Sequence, residues 1–208
     1  MQHTIKLGLI STVATIAILT TGCAPKTQNI DIHNDKEASA VMGLDYRDFQ
    51  SAAQDMTQSL IASGAISKPN GGRYVLVVSR ILNDTMQHID TDQLVKKIRV
   101  ALLKSGKVVV TTAVGIHGAE DQMAMQTRND LRGHEEFNQK TVAGKGQMIS
   151  PDLSLSGKII QRNVTVDSST QQVEYYFQMS LTDINTGLAF WEDEKIIGKR
   201  GSNDSAAW

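Results

Sequence analysis

Val173-Glu174-Tyr175-Tyr176-Phe177-Gln178-Met179-Ser180-Leu181-Thr182-Asp183-Ile184-Asn185-Thr186-Gly187 is the stretch that decides the fold. Val173, Tyr175, Phe177, Met179 and Leu181 recur at every second position, which predicts a strand with one buried face. Asn185-Thr186-Gly187 predicts a hairpin connection, with the glycine taking a positive φ. Leu188, Phe190 and Trp191 then open a further strand that passes into the charged run Glu192-Asp193-Glu194-Lys195. Upstream, Leu153, Leu155 and Ile159 share one face, whereas Ile160, Val164 and Val166 fall on the other. That switch of parity predicts a bulge or bend near Ile159. Three strands with short connections make an antiparallel meander.

Towards the N-terminus the period changes. Tyr46, Phe49, Ala53, Met56 and Leu60 lie on one helical stripe that Gly64 ends. Lys68-Pro69-Asn70-Gly71-Gly72 is a turn. Tyr74 to Val78 reads as a short strand buried on both faces, closed by a loop at Asn83-Asp84-Thr85. Asp90 or Thr91 caps a second helix carrying Leu94, Ile98, Ala101 and Leu102. Ser105-Gly106 ends it, and Lys107 to Thr112 is another β-branched strand. A strand, a crossover helix and a strand predict a parallel βαβ unit. Ala119 to Arg132 is a weakly periodic helix, and Gly133 to Ser150 is loop. The fold class is therefore α/β, one domain with a mixed sheet flanked by helices.

The chain has 208 residues, a formal net charge of −1 and a single cysteine, Cys23. The charge balance gives no reason to expect nucleic acid as a partner. Lys6, the apolar run Leu7 to Leu19 and the small residues Thr20-Thr21-Gly22 read as a secretory signal, too short to span a membrane. A signal ending in Gly-Cys resembles those of bacterial lipoproteins, although Thr20 stands where leucine is usual. The resemblance implies lipidation of Cys23, and Ala24 in place of Asp implies the outer membrane. With no second cysteine there is no internal disulfide. Residues 24–42 are polar and aperiodic, as in a flexible tether, and Lys199 to Trp208 is a fraying tail. The expected divisions are a signal at 1–22, lipidated tether at 23–43, periplasmic domain at 44–199 and tail at 200–208.

No constellation in the chain carries chemistry. His117 precedes Glu120 and Asp121, but no second histidine follows at helical spacing, so no metal is expected. His134-Glu135-Glu136 reads as polar surface. Gly144-Lys145-Gly146 lacks the first glycine and the hydroxyl of a phosphate loop. Ser79 and Ser156 lack a nucleophile elbow, and Glu192 to Glu194 reads as a solvated edge. The Asn163-Val164-Thr165 sequon matters only in a eukaryotic secretory pathway. A protein that is not an enzyme and needs no cofactor is expected.

Pro151-Asp152-Leu153-Ser154-Leu155-Ser156-Gly157-Lys158-Ile159 is similar to the Ser-Gly-Lys-Ile strand motif of the LpoB family. Leu181-Thr182-Asp183-Ile184-Asn185-Thr186-Gly187 resembles that family's Thr-Gly hairpin. Trp191 to Lys195 resembles its following strand, and Val75 to Asp90 its first strand and loop. The resemblance covers Leu44 to Lys199. It implies an outer-membrane lipoprotein that, as a monomer, activates a class A penicillin-binding protein through a regulatory domain of that synthase, thereby promoting peptidoglycan synthesis. The family's tether is long and proline-rich, whereas here only Pro25 occurs. An alternative is an accessory lipoprotein of a secretion or surface-appendage assembly, related to the curli-secretion channel. A channel needs lipid-facing strands of roughly 9–11 residues, and the one long alternating pair, Leu153 to Leu181, is already committed to the core.

Overall fold

The computed structural model describes residues 29–32, 41–115 and 119–205; residues 29–32 carry no helix or strand. Helix α1 (Tyr46–Ser63) begins where Asp45 accepts the Arg47 and Asp48 N–H groups while Asp48 accepts that of Asp45. This reciprocal box satisfies donors that a helix start otherwise leaves orphaned. Burial raises the Asp45 pKa, but the hydrogen bonds from Arg47 and Asp48 and the charge of Lys199 outweigh it and hold the carboxyl below its usual range. Gly64, at φ 78°, closes the helix. Phe49, Ala52, Ala53, Met56 and Leu60 are buried along one stripe. Helix α2 (Asp92–Lys104) buries Leu94, Ile98 and Leu102. Thr91 makes no side-chain cap; Asp90 instead accepts the Asp92 N–H at 2.9 Å. Lys97 stands over the Tyr46 ring at 3.7 Å, joining the two helices.

Five strands form one sheet in the order β2-β1-β3-β4-β5. They are β1 (Tyr74–Asp84), β2 (Val108–Val110), β3 (Leu153–Thr165), β4 (Thr170–Asp183) and β5 (Ala189–Ser202). β1 runs parallel to both β2 and β3, and β3, β4 and β5 are antiparallel. The mixed α/β fold, its βαβ unit and its C-terminal meander are as expected. Helix α1 packs against α2 and β5, and α2 against β1 and β2. Alternate β4 residues from Val173 to Leu181 face these helices with at most 5% exposure. Phe49 meets Phe177 edge-on, with centroids 6.1 Å apart. Helix α3 (Gln122–Leu131) buries no residue.

Four expectations change in detail. β3 pairs with β4 without interruption from Leu153 to Thr165, so there is no bulge near Ile159. The irregularity lies in β1, between Val78 and Ile81. Ile160 and Val164 are simply half-buried on the sheet's other face. β1 continues through Asn83 and Asp84 and buries Leu76, Val78 and Ile81, while Val75 and Val77 are only half-buried. β2 is limited to three residues. Finally, β5 stays paired as far as Ser202, beyond the boundary at Lys199, and Met42 and Gly43 are buried, which moves the start of the folded domain upstream of Leu44.

Candidate functional site

The motif residues that stand out in the sequence turn out to build the fold. Asp152 Oδ2 accepts the Val75 N–H at 2.8 Å and the Lys68 ammonium at 3.4 Å, and the Asp152 carbonyl accepts the Ile184 N–H at 2.9 Å. One residue, through its carboxylate and its backbone carbonyl, therefore ties the start of β3 to the start of β1 and the end of β4. A Cβ on Gly157 would lie 2.7 Å from the Gln178 carbonyl oxygen and 3.2 Å from Met179 Cγ. The strand crossing admits only glycine without displacement. Asp183 Oδ1 accepts the Thr186 N–H at 2.8 Å and its hydroxyl at 3.0 Å, and Gly187 takes φ 72°. These groups make a hydrogen-bonded turn at the end of β4.

The residues weighed for chemistry do not converge. Cys23 and His117 lie outside the described residues. His134 stacks edge-on with Phe137 and accepts the Glu136 N–H at 3.3 Å within its own loop. The Gly144 carbonyl accepts from Arg128 and Arg132, which brace the segment containing Lys145. Ser79 shares a hydrogen bond with Ser154 at 2.9 Å. Glu192 accepts from Ser180 and Glu194 from Gln178, so these acids belong to cross-strand ladders on the face away from α1. Among the described residues no group of three or more His, Cys, Asp or Glu side chains is able to hold a metal ion. A groove of about 1040 Å³ runs between Val78 to Arg80, the first turns of α2 and residues 119–122. Arg99, whose pKa is lowered by burial, pairs there with Glu120. Acids (Asp90, Asp92 and Glu120) and bases (Arg80, Lys96 and Arg99) both line this groove.

Sequence reasoning missed the attachment of the N-terminal segment. Tyr175 donates its hydroxyl to the Met42 carbonyl at 3.1 Å, Lys199 donates to the Gly43 carbonyl at 2.6 Å, and Gln87 accepts the Leu44 N–H at 2.9 Å. Lys199 also pairs with Asp48 at 2.5 Å, with side-chain exposures of 12% and 15%. Burial, then the Asp48 charge, pushes the Tyr175 phenol up to about 12. Lys195 pairs with Asp55 one layer along, at 2.5 Å. A signal for this was available: Trp191, Lys195 and Lys199 share strand parity, and Asp48 and Asp55 lie seven residues apart on one helical face.

A family model described as peptidoglycan-synthase activator LpoB matches residues 48–197, and the chain belongs to this family. It is thus a regulatory activator and not a catalyst. Similar solved structures include the LpoB C-terminal domains of Escherichia coli (18% identity, TM-score 0.44) and Salmonella enterica (16%, 0.43). Each comparison covers 72% of this chain and 98% of the other. Lipoprotein GNA1162 from Neisseria meningitidis is similar at 13% identity and TM-score 0.36, covering 64% and 86%. No curated protein sequence matches. No helix among the described residues is long and apolar enough to cross a membrane.

Proposed function

We propose that this activator is a lipoprotein, cleaved before Cys23 and lipidated on it, held in the outer membrane with its folded domain in the periplasm. Its partner is a class A penicillin-binding protein, bound as a monomer through that synthase's regulatory domain. The observation that carries this reading is family membership over residues 48–197, joined to a lipoprotein-like signal ending in Gly22-Cys23. Two or three acyl chains supply stable anchoring, where one is marginal. From Cys23 to Met42 the tether extends at most about 65 Å. Binding accelerates glycan polymerisation and peptide crosslinking by favouring the synthase's active conformation, because an activator shifts an equilibrium only by its preference for one state.

The test uses a soluble form of residues 39–208, which preserves the compact unit Ser39–Trp208. Added to a purified class A penicillin-binding protein from the same cell, it is expected to raise the rate of lipid II polymerisation and to bind saturably. An unchanged rate together with no binding refutes the reading.

A further inference from the structure

We propose that the β4–β5 hairpin tip, presenting Ile184, Leu188 and Phe190, is the surface that docks on an apolar patch of the synthase's periplasmic regulatory domain. This deepens the proposed function and rests on it. Tight turns ordinarily carry polar side chains. Here three large apolar groups within seven residues are 45%, 62% and 42% exposed. The pairing steps from Leu181↔Trp191 to Thr182↔Ala189, which leaves Phe190 as the extra residue. A bulge of this kind re-aims a side chain, and Phe190 is turned outward while Trp191 stays buried. The backbone beneath is fixed. Asp183 donates its N–H to the Leu188 carbonyl at 2.9 Å and accepts the Gly187 N–H at 2.8 Å. A preorganised apolar display loses little entropy on binding, as a docking surface requires. Ile149, 77% exposed, lies on the segment entering the same end of the sheet.

What commits the tip to a partner away from the anchor is the place where the tether joins the domain. Met42 lies against Gly201 and bonds Tyr175, and Gly201 pairs with Gln171 near the start of β4. The tip follows Asp183 at the other end, roughly 40 Å along the strand at about 3.3 Å per residue. A chain tied in at one pole presents the opposite pole farthest from its membrane. With a tether this short, that pole is where a synthase anchored in the facing membrane is met.

The experiment measures binding and lipid II polymerisation for soluble residues 39–208 against a purified class A penicillin-binding protein. The variants are Leu188→Ser, Phe190→Ser and their combination. Leu82→Ser and Ile196→Ser, at equally exposed apolar positions elsewhere on the sheet (51% each), serve as controls. The double tip variant is expected to weaken binding at least about tenfold, with stimulation recovered at higher concentration and the circular dichroism spectrum unchanged. Leu82→Ser and Ile196→Ser are expected to bind as wild type. If wild type stimulates and the tip variants stimulate equally well, the surface assignment falls while the proposed function stands. If wild type neither binds nor stimulates, the function falls and takes the docking site with it. Tip-dependent dimerisation in sedimentation, or tip-dependent flotation with phosphatidylethanolamine–phosphatidylglycerol vesicles, overturns the assignment in favour of a second copy or a lipid surface.

Discussion

Replacing Lys199 by methionine keeps the aliphatic stem but removes the charge from a largely enclosed pair. Its ammonium lies 2.5 Å from Asp48 Oδ2 and donates to the Gly43 carbonyl at 2.6 Å. Breaking a fully buried pair by removing one partner costs about 3–5 kcal/mol, because the other charge stays buried alone. Here the two side chains retain 12% and 15% exposure, and Asp48 keeps the Asp45 N–H at 2.8 Å. The expected loss is therefore lower, about 2–3 kcal/mol. At 2–4 °C per kcal/mol for a domain of this size, Tm falls by roughly 5–10 °C. Urea unfolding of residues 39–208, followed by circular dichroism, measures the loss. A double-mutant cycle with Asp48→Asn isolates the pairwise part, for which a coupling of about 1–2 kcal/mol is expected. Lys195→Met is the internal comparison. Its pair with Asp55 has exposures of 36% and 45%, so a change within about 0.5 kcal/mol is expected. The reasoning is wrong if Lys199→Met costs no more than Lys195→Met, or if the cycle gives no coupling.

Tyr175 is protonated in the folded state up to about pH 12, whereas an unfolded tyrosine titrates near 10. Between those values the native state holds the extra proton, so stability is intact below pH 10 and declines as pH rises towards 12. Tyr175→Phe is expected to flatten that decline in pH-dependent unfolding. Gly157→Ala forces a methyl to within 2.7 Å of the Gln178 carbonyl and is expected to lower stability by about 1–3 kcal/mol in urea titration. Cys23→Ser in the full chain is expected to abolish incorporation of radiolabelled palmitate and to move the protein from the membrane to the soluble fraction.

The buried face of β4 was legible because its apolar residues alternate without exception from Val173 to Leu181. Helix α1 was legible from stripe, cap and terminal glycine together. β3 misled because Ile160 and Val164 are apolar on a face the helices leave open, and a sequence shows alternation but not which side is covered. β1 and β5 were read short because Ile81-Leu82 and Ile196-Ile197 are set among polar residues in their distal halves, which a partner strand holds on one side only. The site was the least legible part. Asp152, Gly157 and Asp183 stand out because the fold is sensitive to them, whereas Leu188 and Phe190 read as the start of an ordinary strand and Ile184 as part of the hairpin motif. Only the register and the position of Met42 set them apart.

The attachment at Met42 has a mechanical meaning. Any pull on the N-terminal segment reaches Met42, Gly43 and Leu44 before it reaches the Asp45 cap of α1. Tyr175, Lys199 and Gln87 hold this segment through side chains alone, outside the helical hydrogen bonds of α1. Loss of the Lys199 contact is different in kind, because the same ammonium holds Asp48. One ammonium therefore ties the backbone at Gly43 and the first turn of α1 to the same position of β5.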